Sequence, residues 1–250
     1  MSNNKGNGLL AERENKTIYR DGDRVVKVFE TGYSKGDVLR EAMNQARVEE
    51  TGLNIPAVLE VSVVDGKWAI ISQFIEGKTL QQLIDEHPKQ KNKYLERFVD
   101  IQMEMRLKDA PELGLLRDKM DRKISASDFD ATTRYELHTR LDSIPKTEKL
   151  CHGDYNPSNV IIKKDGSAYI LDWSHATQGN TSADAARTFL LFWLAGDSKG
   201  AEKYLQLYCL KTDTPKQQVQ KWIPIVAASQ SVKDNPDERE LLASWVDVLA

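Results

Sequence analysis

The segment His152-Gly153-Asp154-Tyr155-Asn156-Pro157-Ser158-Asn159, with Asp172 following after an apolar hairpin, gathers oxygen donors at a spacing that could do chemistry. It offers a carboxylate on a tight loop, an amide oxygen five residues later, and a second carboxylate at the end of a strand. Two hard oxygen ligands completed by phosphate oxygens suit Mg²⁺, which rarely has an all-protein cage. A separate carboxylate can orient and deprotonate an attacking hydroxyl. Asp, Asn, Gly and Pro also make ordinary turns. An ordinary turn, however, does not require Asp154, Asn159 and Asp172 to converge through the hairpin.

A second signal is Lys27, a lone cation within the apolar run Arg24-Val25-Val26-Lys27-Val28-Phe29. Pleat alternation puts it on the face of Val25 and Phe29, and an inward charge needs a partner. Phosphate oxygens and a helix carboxylate could supply one. The other possibility is an edge-strand lysine snorkelling to water.

The elements that must position these residues are readable from periodicity and turns. Runs at 17–20 and 25–29 flank the turn Asp21-Gly22-Asp23, and runs at 58–64 and 68–74 flank Asp65-Gly66. Between the hairpins a helix is predicted near 37–50. Val38, Leu39, Ala42, Met43 and Ala46 form its buried stripe, and Ser34 and Asp37 form a capping pair. After Gly77 helices are predicted near 80–84, 94–107, 128–141, 183–195, 200–210, 215–230 and 237–249. Short strands at 149–151, 160–162 and 168–171 interrupt them.

Composition restricts the function classes. The 250 residues are 40% hydrophobic and 29% charged, a globular balance that excludes wholesale disorder. With 35 basic and 38 acidic residues the net charge is -3, which argues against a nucleic-acid binder. The longest large apolar run, Phe189 to Ala195, is far short of the ~20 residues of a membrane span. Two cysteines make no disulfide framework, and the polar N-terminus shows no secretory signal. A soluble, cytoplasmic protein is expected, with no nucleic-acid or membrane partner.

The segment 152–159 together with Leu171-Asp172-Trp173 resembles the signature of the aminoglycoside phosphotransferase and choline kinase family, small-molecule relatives of the protein kinases. The resemblance runs from the first hairpin to the helices after Asp184. It implies an α+β, two-lobed protein-kinase-like fold. A small β-rich N-terminal lobe with one helix (1–76) would bind nucleotide, and a larger, mainly helical lobe (77–250) would carry catalysis and bind substrate. It further implies Asp154 as catalytic base, Asn159 and Asp172 as Mg²⁺ ligands, and His152 as a buttress of the catalytic loop. Lys27 would serve both catalysis and ATP binding. Glu41 would be its ion-pair partner, with Glu49 and Glu50 as alternatives. Gln73 and Ile75 would meet the adenine edge through their main chains, in the hinge Gln73-Phe74-Ile75-Glu76-Gly77. Asp184 caps a helix and, by resemblance, reaches back to the catalytic-loop backbone.

The implied activity is ATP- and Mg²⁺-dependent phosphorylation of a hydroxyl on a small molecule: an aminoglycoside, amino alcohol, sugar or similar metabolite. Only eleven residues separate Asp172 from Asp184, too few for a protein kinase's activation segment. A catalytically silent nucleotide-binding module is the rival from another class. Protein kinases cover the phosphates with a glycine-rich loop. Leu10-Ala11-Glu12-Arg13-Glu14-Asn15-Lys16 has no glycine, which leaves open whether Asn15 or Lys16 meets phosphate. The near-P-loop string ending in Gly77-Lys78-Thr79 lacks its first glycine and follows a hairpin strand. The run Phe189 to Trp193 reads as core. Asp234, Asp237, Glu238, Glu240 and Asp247 against Arg239 point to a cationic acceptor or to a solvated acidic helix.

Overall fold

Alternating apolar residues and tight glycine turns build the first part of the chain as antiparallel strands. The structure, a computed structural model, describes residues 8–13 and 15–246. In chain order, β1 (Leu9–Arg13), β2 (Lys16–Asp21) and β3 (Arg24–Phe29) precede α1 (Lys35–Glu49), then β4 (Val58–Val64), β5 (Lys67–Gln73) and β6 (Lys78–Thr79). Next come α2 (Leu80–Glu86), α3 (Lys91–Arg106), α4 (Leu116–Ser125) and α5 (Ala131–Ser143). The strands β7 (Lys149–Cys151), β8 (Val160–Ile162), β9 (Ala168–Ile170) and β10 (Thr177–Gly179) follow. The chain continues with α6 (Thr181–Leu194), α7 (Ser198–Thr212), α8 (Lys216–Gln220), α9 (Ile223–Ser231) and α10 (Arg239–Val246). No helix among the described residues is long and apolar enough to cross a membrane.

The chain divides into two compact units, residues 1–80 with 158–175 and residues 81–157 with 176–250. In the first, five strands form an antiparallel sheet in the order β1-β2-β3-β5-β4. One sheet face packs Phe29 and Ile70 against Val38 and Ala42 of α1, and the other gathers Val26, Ala69 and Ile71. The same unit holds the small sheet β6-β8-β9. At Gly77, ahead of β6, a Cβ would lie 2.5 Å from the Ile162 carbonyl oxygen, so only glycine allows this approach. Lys78 and Thr79 pair with Ile162 and Ile161 in that sheet, so the string ending in Thr79 makes no phosphate loop.

The α1 stripe differs from the one predicted. Leu39, Met43 and Ala46 are exposed, while Val38, Glu41, Ala42, Asn44 and Val48 are buried. Two polar residues take inward places because their partners lie on that side: Lys27 for Glu41, and the Ser174 carbonyl for Asn44 Nδ2 at 3.4 Å. Ser34 occupies the N-cap position without a side-chain cap bond.

The second unit is helical around the short pair β7–β10. α4 falls where no helix is predicted, because its buried apolar residues are only Leu116, Met120 and Ile124 in a charged sequence. The predicted helix at 215–230 is two, α8 and α9, with Pro224 in the first turn of the second. α4 and α6 both pack against α9. Asp247 and the end of the helix predicted to 249 lie outside the described residues.

Candidate functional site

In the first unit the hairpin β8–β9 brings Asn159 and Asp172 together. Val160 pairs with Ile170, so the next residues outward, Asn159 and Leu171, face each other. The Leu171 amide donates to the Asn159 carbonyl at 2.8 Å, and Asp172 is the following residue. Asp172 has φ 58°, a left-handed conformation that Asp tolerates better than most residues and that costs about 1–3 kcal/mol. The chain accepts this turn where its carboxylate is aimed at two lysines.

Those lysines are Lys27 and Lys16. Lys27 Nζ is 2.5 Å from Glu41 Oε1 and 3.5 Å from Asp172 Oδ1, and Lys16 Nζ is 3.7 Å from Asp172 Oδ2. Lys27 is therefore inward, beside Phe29, as the pleat requires. Burial disfavours its ammonium, yet the charges of Asp172 and Glu41 outweigh this and hold its pKa above the ordinary lysine value. Of the alternatives to Glu41, Glu49 accepts the Val58 amide at 2.8 Å and Glu50 is exposed. Lys16, left open by sequence, lies in β2, and Lys16 pairs with Phe29 across the β2–β3 ladder. Gln73 closes β5, and its amide donates to the Ala57 carbonyl at 2.9 Å. Its carbonyl is thus what Gln73 could offer an adenine edge. Ile75 is buried.

The donor set tests well against Mg²⁺. Asp172 and Asn159 bring carboxylate and amide oxygens, the hard donors that Mg²⁺ takes, and Asp172 already attracts cationic groups. Among the described residues no cluster of three or more His, Cys, Asp or Glu could hold a metal ion by itself.

In the second unit the loop after β7 carries His152 and Asp154. Gly153 between them has φ 78°, a turn that needs glycine. His152 is fully buried, and its Nδ1 accepts the Asp154 amide at 3.1 Å, so that nitrogen carries no proton. The Gly153 amide donates to Asp184 Oδ1 at 2.7 Å. Burial raises the Asp184 pKa, against the opposing effects of His152 and the Gly153 amide. Asp184 is not the cap of α6. Asn180 is, its side chain accepting from the Ser182 amide at 2.9 Å, while Asp184 serves the loop. Tyr155, stacked on Phe98 at 4.2 Å, donates its hydroxyl to the Phe98 carbonyl at 2.8 Å and anchors the loop below.

Asp154 keeps its carboxylate partly exposed, 3.6 Å from Arg187 Nη2 on α6. Arg187 was not singled out from sequence. The signal available was its place three residues after Asp184, one turn along the same helix face. Phe189 and Trp193, on another face of α6, line a cavity of about 560 Å³ with Trp245, so that run is not core alone.

A sequence profile of the phosphotransferase enzyme family matches residues 6–222, and the chain belongs to that family. The family expected from the signature at 152–159 is thus the one found. No curated protein matches by sequence. Among solved structures, the aminoglycoside phosphotransferase APH(4)-Ia is similar with a TM-score of 0.72 at 17% identity, over 98% of this chain and 92% of that one. The choline kinase LicA from Streptococcus pneumoniae is similar with a TM-score of 0.60 at 16% identity, over 90% and 82%. An aminoglycoside-3'-phosphotransferase of type VIII gives 0.67 at 14%, over 90% and 94%. These likenesses establish the α+β kinase-like fold expected from sequence.

Proposed function

We propose that this phosphotransferase moves the γ-phosphoryl group of ATP to a hydroxyl of a small molecule, with Mg²⁺. The observation that carries the reading is the position of Lys27, buried between Glu41 and Asp172 and kept charged by both. A fixed cation in that setting stabilises charge on a transferring phosphoryl group without reorganising. Asp172 and Asn159 would hold the metal, which supplies charge neutralisation at the phosphates. Lys16, beside Asp172, adds a second cation on the phosphate side. Gln73 through its carbonyl and Ile75 through its main chain would meet the adenine, within a nucleotide-binding region at 1–76.

In the region at 77–250, Asp154 accepts the proton of the acceptor hydroxyl. The hydroxyl oxygen bonds to the γ-phosphorus, the bond to the β–γ bridging oxygen breaks, and its electron pair leaves with ADP. His152 and Asp184 hold the loop, so that Asp154 is pre-positioned. In one solved complex APH(4)-Ia carries AMP-PNP and hygromycin B, which supports a nucleotide and a hydroxylated acceptor here. The free thiols Cys151 and Cys209 suit a reducing cytoplasm.

ADP release and phosphorylated product, measured over a panel of hydroxylated metabolites and aminoglycosides, test the reading. Product that appears with wild type and disappears in Asp154→Asn supports it. A nucleotide-dependent rise in melting temperature with no phosphate transfer to any acceptor would favour the silent module.

A further inference from the structure

The groups around Asp154 carry a surplus of positive charge that the transfer step does not use. Arg187 leaves only 12% of its side chain exposed, and its Nη1 has no hydrogen-bond partner among the described residues. Its 3.6 Å separation from Asp154 is an ion pair longer than a hydrogen bond, so Asp154 does not use up the guanidinium fork. α4 contributes Lys119 and, one turn on, Lys123, and both act on their neighbours in this cluster. Lys233, at the exposed rim just beyond α9, lies within electrostatic reach of Arg187 and Asp154.

Against these four cations stand Asp154, Asp184 and Glu238. All three carboxylates are already engaged: Asp154 by Asn156 Nδ2 at 3.4 Å and by Arg187, Asp184 by the Gly153 amide, and Glu238 by Gln230 at 2.5 Å and Asn235 at 3.0 Å. Burial, then the like charges of Arg187 and Lys123, push the Lys119 pKa down to about 8. A buried guanidinium with an unused donor beside like charges is costly unless an anion joins it.

We propose that the acceptor bears an anionic group, a carboxylate or a phosphate, next to the hydroxyl it presents to Asp154, and that Arg187 holds this group with Lys119 and Lys233. The proposal rests on the phosphotransferase reading above, with Asp154 as base. Arg is suited to the task because its planar fork meets both oxygens of such a group. It reverses the cationic preference expected from the C-terminal acidic residues. Asp234 is exposed and pairs with Arg239 at 2.8 Å, and Asp237 and Glu240 are exposed. Asp247 lies outside the described residues.

The test uses matched acceptors on the full chain: glucose, gluconate, glucose 6-phosphate and glucosamine, and glycerol, glycerate, glycerol 3-phosphate and serinol. Product formation is expected at a kcat/KM about tenfold or more higher for the anionic members of each set. Preference for gluconate and glycerate assigns a carboxylate, and preference for the phosphates assigns a phosphate. Best turnover on the neutral or amine members overturns the proposal and leaves the phosphotransferase reading intact.

Titration with inorganic phosphate by calorimetry decides the matter independently of turnover. Binding should weaken about tenfold or more in Arg187→Met, persist in Arg187→Lys, and survive in Lys27→Met, which reports on the phosphate side of the nucleotide. Should Arg187→Met fail to fold by circular dichroism, the double variant Lys119→Met/Lys233→Met carries the same expectation. Phosphate binding that is absent in wild type, or indifferent to these substitutions, overturns the proposal even when no member of the panel is phosphorylated.

Discussion

Lys27 and Lys119 are both largely withdrawn from water, yet their pKa values move in opposite directions. Burial pushes both down. For Lys27 two carboxylates, Asp172 and Glu41, overcome it, and the ammonium stays charged well beyond neutral pH. For Lys119 the nearest strong charges include Arg187 and Lys123, and they add to burial instead of opposing it. The first unit has balanced its buried cation internally, so Lys27 is a fixed fitting. In the second unit the cluster around Asp154 sets Arg187, Lys119, Lys123 and Lys233 against Asp154, Asp184 and Glu238, and the anion proposed above would complete its charge. A residue type alone thus says little about its state. The sign of the neighbours decides.

The largest expected effect tests the second unit. Asp154→Asn keeps size and polarity but removes the proposed base, and turnover should fall roughly 10³-fold, with nucleotide affinity within a few-fold. Near-normal turnover, measured as phosphorylated product, would remove Asp154 from the chemistry.

The balance around Lys27 can be broken from either side. Lys27→Met should lower turnover roughly 10²-fold. It should also destabilise the protein by about 3–5 kcal/mol, because Glu41 is left buried and unpaired. The double variant Lys27→Met/Glu41→Leu should recover most of that stability in urea melts and none of the activity. If the single variant is as stable as wild type, Glu41 does not depend on Lys27, and the contrast between the two lysines fails.

Asp172→Asn tolerates the same left-handed backbone and exchanges a carboxylate for a neutral amide at the proposed metal site. Mg-nucleotide affinity should fall about tenfold, roughly 1.4 kcal/mol, by calorimetry at fixed Mg²⁺. Unchanged affinity would take Asp172 out of the metal site. Asp184→Ala should cost about 1–3 kcal/mol of stability by leaving the Gly153 amide unpaired, and should lower kcat with little change in nucleotide KM. A loss confined to nucleotide KM would contradict its role as support for the loop of Asp154.

The smallest effect is a pH dependence. The folded pKa of Lys119, about 8, lies below its ordinary 10.5. Lys119 is charged below pH 8 and loses its charge as pH rises through it, with Arg187, Lys123, Asp184 and Asp154 as the charges acting on it. The KM of an anionic acceptor should be flat below pH 8 and rise a few-fold above it, and the inflection should vanish in Lys119→Met. The stability cost of charging Lys119 is present below pH 8 and is relieved as pH rises from there toward 10.5. Lys119→Met should therefore melt higher than wild type at pH 7. The raised pKa of Lys27 works the other way. Its stabilisation is complete below the ordinary lysine value of 10.5 and is lost only as pH rises through the folded value above that. No inflection from Lys27 is expected between pH 6 and 9.

Local pattern accounts for much of what could be read in advance. The two hairpins follow from period-2 runs around tight turns. The inward side of Lys27 follows from the pleat, and the meeting of Asn159 with Asp172 follows from the β8–β9 hairpin between them. Each depends on residues close in sequence, where backbone geometry leaves few choices. The stripe of α1 was harder, because a helix face is ranked by apolarity, and here two polar side chains take inward places opposite Lys27 and the Ser174 carbonyl. α4 escaped notice for a related reason: three apolar residues spaced four apart are a thin signal in a charged segment.

The order of residues along the chain fixes which groups are on offer: the carboxylates of Asp154 and Asp172, the amide of Asn159, an inward lysine, and the family that carries them. Only the tertiary structure decided which partners these groups have. Glu41 rather than Glu49 or Glu50 meets Lys27, Lys16 joins Asp172, and Arg187 and Lys119 crowd the surroundings of Asp154. The physical reason is that charge interactions depend on distance and burial. Residues 27 and 41, or 119 and 187, become neighbours only through the packing of separate elements, which no spacing along the chain records.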